Sequence, residues 1–113
     1  MKKSSFSDQI EYNDDKIVTK VILETSFSKE IRIVLKRGQS MKEHKAPFPI
    51  IVHIIEGEID FGVEGETNSL KKGDILTLDS NIPHDLTALT DSIVRLTLSS
   101  KDTASRVHKV IDK

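Results

Sequence analysis

Four histidines and no cysteine set the chemical options of this 113-residue chain. His44, His53 and His84 fall within or beside its most β-prone stretches, and His108 lies near its C-terminal end. An imidazole exchanges a proton near neutral pH, makes hydrogen bonds through both ring nitrogens, and ligates metals through the nitrogen that holds the lone pair. The absence of cysteine removes a disulfide framework, a thiolate zinc site and a cysteine nucleophile. A divalent metal such as Zn, Ni, Mn or Fe would have to be held by histidine, carboxylate and water. No Gly-rich phosphate loop, nucleophile elbow or paired-carboxylate spacing is present. A single Tyr and no Trp leave no aromatic platform for stacking bases.

The elements that must carry these histidines are strands. Fourteen Ile, eight Val and eight Thr stand against three Ala, a balance that favours pleated over helical backbone. Ile17, Thr19, Val21 and Leu23 alternate, as do Ile31, Ile33 and Leu35. Pro49 to Glu56 is apolar on both faces, with Ile50, Val52 and Ile54 on one and Ile51, His53 and Ile55 on the other. A strand buried on both sides in an antiparallel protein needs a cover for its outer face, most simply a second copy of the chain, so a homodimer through that face is expected. Turn signals at Glu56-Gly57-Glu58, Glu64-Gly65-Glu66 and Lys71-Lys72-Gly73-Asp74 separate strands over 59–63, 67–70 and 75–78, and two more follow around 85–88 and 93–98. Short strands at this spacing predict a sandwich or barrel in one domain spanning 1–113, with its core over about 16–99. The polar segment 1–9 and the tail 101–113, with Val107, Val110 and Ile111 as its spaced apolar positions, read as peripheral.

Seventeen basic residues balance eighteen acidic ones, a net charge of −1, so no overall positive field draws the chain to nucleic acid or to a membrane surface. The most apolar run, Ile50 to Ile55, is far too short to span a bilayer. A soluble, cytoplasmic protein is the expectation.

The spacing around the histidines resembles the cupin superfamily. The first cupin motif runs Gly, five residues, His-x-His, three or four residues, Glu, six residues, Gly. This chain reads Gly38, five residues, His44-Lys45-Ala46, three residues, Ile50, six residues, Gly57. The second motif runs Gly, five residues, Pro-x-Gly, two residues, His, three residues, Asn. It is met by Gly73, five residues, Asp79-Ser80-Asn81, two residues, His84, three residues, Ala88. The resemblance implies an all-β, cupin-type double-stranded β-helix, a jelly-roll barrel of the conserved-barrel kind. It further implies a site at one end of the cavity in which His44 and His84 occupy two of the four metal-ligand positions. Ala46 and Ile50 stand in the other two and offer no lone pair.

His53 would supply a third ligand only if a β-bulge turned it inward; otherwise it is a buried, hydrogen-bonded histidine of a subunit interface. Glu43 and Lys45 alternate away from His44 as rim charges. Asp79 and Asp85 either orient His84 or are solvated loop residues. The expected pocket draws on Met41, Phe48, Ile50, Val52, Phe61, Leu76 and Leu86, with Met41, Phe48 and Ile50 beside the two histidines as ligand-binding candidates. Three functions fit: a small-molecule-binding barrel with a weak or incomplete metal site, a metal-dependent dioxygenase or isomerase, and a cofactorless enzyme using one histidine as general base.

Overall fold

A computed structural model describes residues 1–111; residues 112 and 113, and the side chains of Val110 and Ile111 named above, lie outside the described residues. Nine strands form, all paired antiparallel, followed by one helix. They are β1 (Val18–Glu24), β2 (Ser28–Leu35), β3 (Ser40–His44), β4 (Ile50–Glu56), β5 (Glu58–Val63), β6 (Glu66–Lys71), β7 (Ile75–Leu78), β8 (His84–Ala88), β9 (Ser92–Ser99) and α1 (Ala104–Ile111). One sheet has the order β1-β2-β9-β4-β7 and the other β3-β8-β5-β6. The apolar faces of the two meet in a single core of the jelly-roll type.

Alternation decides which side chains enter that core. Along β4, Ile50, Val52 and Ile54 are buried while Ile51, His53 and Ile55 face outward, so the parity read from the sequence holds. Ile59 and Phe61 of β5, Leu86 and Ala88 of β8, and Val94, Leu96 and Leu98 of β9 complete the interior with Ile31, Ile33 and Leu35. Each fully buried side chain of this size contributes about 1.5–3 kcal/mol of apolar transfer. Turn chemistry closes the ladders: Glu64 and Gly65, with φ of 53° and 81°, are the two left-handed residues of the two-residue β5–β6 hairpin, the conformation a type I′ turn requires.

Both termini depart from the expected peripheral role. The N-terminal segment lies across the outer face of the larger sheet, where the Asp8 carbonyl accepts a 2.8 Å hydrogen bond from Arg32 Nη1 and the Phe6 ring sits 5.7 Å from the Arg95 guanidinium. The C-terminal tail forms α1, which packs against β3 and buries Val107 in the main core. Ala104 and Val107 are three residues apart and so share a helix face, which makes the burial possible. Thr103 accepts a hydrogen bond from the Arg106 amide, and the bidentate Asp102–Arg106 pair, 2.9 Å at both contacts, ties the first turn down. No helix among the described residues is long and apolar enough to cross a membrane.

The outer face of β2 and β9 carries a buried carboxylate. Burial pushes Glu30 up, but hydrogen bonds from Thr97, Ser28 and Arg95 outweigh it and hold the group below its ordinary value. Glu30 therefore stays ionised and fixes Arg95 in place.

Candidate histidine pair site

His44 ends β3 and His84 opens β8, and the two are directly opposite one another in the register. A regular strand would put Met41 and His44 on opposite faces, because they are an odd number of residues apart. The β3–β8 pairing slips between them: Met41 faces Leu86 and His44 faces His84, so three steps along β3 match two along β8. This bulge turns both Met41 and His44 inward. The ring centroids of the histidines are 4.3 Å apart at an interplanar angle of 62°. Phe61 of β5 stacks on the other side of His84 at 5.6 Å and 16°.

Backbone carbonyls set the tautomers. His44 Nδ1 lies 2.7 Å from the Lys42 carbonyl and His84 Nδ1 lies 2.9 Å from that of Ile82. A carbonyl only accepts, so each Nδ1 carries the proton and each Nε2 keeps the lone pair. Burial holds both rings neutral: it lowers His44 to about 4, assisted by His84 and Arg106, and lowers His84 in the same direction, again with help from Arg106. The Nε2 lone pair of His44 is thus available at any pH well above 4.

Neither acidic neighbour orients His84, whose Nδ1 is taken by the Ile82 carbonyl; Asp85 is exposed with its carboxylate over Gly62, and Asp79 is exposed in its loop. Glu43 and Lys45 are exposed at the rim. Of the expected pocket residues, Met41, Ile50, Val52, Phe61 and Leu86 are buried in the core, while Phe48 and Leu76 are half-buried. His53 sits apart, on the outer face of the other sheet with Arg95 and Ile75 as cross-strand neighbours. The register slip in β4 comes after it, between Ile54 and Glu56, and so leaves it outward. Arg106 and its anchor Asp102 had no signal in the motif spacing; their positions four residues apart around the start of α1 were the available clue.

As a metal centre the donor set is short. Two neutral imidazoles offer two nitrogen ligands, Ala46 and Ile50 are buried apolar residues, and no group of three or more His, Asp or Glu able to hold an ion occurs among the described residues. Catalytic sites typically use about three protein ligands and keep one position open. The residues present do not fit a resident catalytic metal of that kind.

Fold and motif spacing agree with comparisons to known proteins. A sequence profile of the cupin domain matches residues 31–100, and this chain belongs to that family. An RmlC-like cupin from Desulfovibrio desulfuricans superposes with a TM-score of 0.80 at 22% identity, covering 88% of this chain and 96% of that one. KdgF from Halomonas sp. gives 0.71 at 23%, covering 84% and 92%. A cupin 2 conserved barrel domain protein from Leptotrichia buccalis gives 0.71 at 32%, covering 80% of this chain and 44% of the longer one. No curated protein sequence matches the chain.

Proposed function

We propose that this chain is a cytoplasmic barrel that binds a small organic molecule at the His44–His84 pair. The observation that carries the reading is the pair of neutral imidazoles with both Nδ1 atoms engaged by backbone carbonyls. Such rings present two hydrogen-bond acceptors from rigid strands and suit a ligand bearing hydroxyl, enol or amide donors. Ile50 and Ala46, where the family's ligands would stand, favour binding over metal catalysis. A metal taken up here would bind weakly through the two Nε2 atoms and draw its remaining ligands from water or from the bound molecule.

The test is elemental analysis of protein purified without chelator and reconstituted with Zn, Ni, Mn and Fe(II), beside the His44→Ala His84→Ala double variant, followed by a thermal-shift ligand screen of both. Metal well below one equivalent, together with a ligand whose stabilisation disappears in the double variant, is the expected result. Near-stoichiometric metal lost in the double variant would overturn the reading in favour of a metal-dependent dioxygenase or isomerase.

The same proposal includes a homodimer through the outer face of β4 and β7. There Phe27, Ile51 and Ile75 are 75%, 38% and 63% exposed, beside a groove of about 330 Å³ lined by Phe27, Pro49, Ile51 and Thr77. His53 lies half-buried on the same outer face, opposite Ile75 of β7. Ile51→Asp should convert a dimer into a monomer in size exclusion with light scattering; a dimer that survives the change removes this face from consideration.

A further inference from the structure

Three cationic side chains stand in one row across the outer face of the larger sheet, because Lys20 pairs with Arg32 and Arg32 with Arg95 in the register. Like charges directly opposite one another repel. Arg95 is neutralised by Glu30 at 3.0 Å, whereas no carboxylate among the described residues lies within 4.0 Å of Arg32 or Lys20. Arg32 is only 6% exposed. Its Nη1 reaches the Asp8 carbonyl, a neutral acceptor, and its Nε is buried with no hydrogen-bond partner among the described residues. The fold thus holds a buried guanidinium with no ion pair in direct contact among the described residues.

A cleft of about 450 Å³ opens beside it, between the N-terminal segment and β1–β2. Lys3, Lys20 and Arg32 line it with the hydroxyl residues Ser4 and Ser5 and with Asp8. Three cations against one carboxylate leave an excess of two positive charges, and the hydroxyls add neutral donors. That balance matches a dianionic oxyanion better than a monovalent carboxylate or a halide. We propose that this cleft is a phosphate-class anion site, with Arg32 as its buried anchor and Lys20 and Lys3 at its rim. It lies on the outside of the barrel wall, and so it is separate from the histidine pair and does not depend on the function proposed for that pair.

Titration calorimetry with inorganic phosphate and with a simple alkyl phosphate monoester, against acetate and chloride at matched ionic strength, tests the assignment. Saturable binding of about one phosphate per chain is expected, with affinity at least tenfold weaker in Lys20→Gln, an exposed position that leaves the fold intact. Tighter binding of the ester marks a phosphorylated metabolite as the occupant, and tighter binding of phosphate marks the free ion. Arg32→Met should abolish binding and, in phosphate-free buffer, melt at or above the temperature of the parent protein, because it removes a buried charge while keeping an apolar stem. Phosphate binding no stronger than that of chloride, or unchanged in Lys20→Gln, overturns the proposal. So does a phosphate-insensitive protein whose dimer dissociates on Lys20→Gln, which would assign the missing anion to a carboxylate of a second copy.

Discussion

Phe61→Ala should cost about 3–5 kcal/mol in urea unfolding, the range seen when a large aromatic is truncated inside a packed core. Phe61 is fully buried at the centre of β5, faces Leu86 across the β5–β8 ladder, and also backs the His84 ring. The variant therefore removes core volume and the surface that holds the imidazole upright, so ligand stabilisation at the histidine pair should fall with it. Phe61→Leu separates the two effects, since it restores most of the apolar volume without restoring a ring to stack on. A loss below about 2 kcal/mol for the alanine variant would show that the interior collapses around the gap and that Phe61 is not a keystone.

Gly57→Ala should be the most damaging of the glycine substitutions, with a loss of about 2–5 kcal/mol. Its φ of +91° strains any L side chain by about 1–2 kcal/mol. The added methyl group would also lie 2.5 Å from the Asp91 carbonyl oxygen and 2.8 Å from the Ser92 Cα, both backbone atoms that cannot swing aside. Overpacking of that kind costs a further 1–3 kcal/mol or so. The contact arises because the β4–β5 turn docks on the β8–β9 loop, where Leu89 N donates to the Glu58 carbonyl and Glu58 N donates to Thr90 Oγ1. Gly38→Ala is the control: its φ is +90°, yet nothing lies within 4 Å of the new methyl, so only the backbone strain should appear. Equal losses at the two positions, measured by urea unfolding, would refute the docking explanation.

The strands whose apolar residues alternate were legible from the chain alone, and so were the glycine turns, because both follow from local geometry. Ile50, Val52 and Ile54 point inward for no reason beyond parity. β3 was not legible: Ser-Met-Lys-Glu-His carries one apolar residue, and its strand character comes from pairing with β8. The bulge inside it is likewise a property of the ladder, so the facing of His44 toward His84 could be drawn only from motif spacing. The N-terminal segment has no periodicity, and its place on the sheet rests on single contacts such as Phe6 with Arg95. α1 offered a faint signal in the spacing of Val107, Val110 and Ile111, diluted by the charged residues of the tail. The tautomers of the two histidines depend on carbonyl positions, which no side-chain pattern encodes.

The slip in β3 has a bearing on how such barrels diverge. The extra residue between Met41 and His44 and the bulge that absorbs it go together, for at this odd separation an unbulged ladder would turn the second imidazole outward. In genetic terms, loss of a single codon at position 42 or 43 would leave Met41 and His44 two residues apart, so a regular ladder of two steps against two would point both inward without a bulge; the imidazole pair therefore tolerates a one-codon shortening of β3.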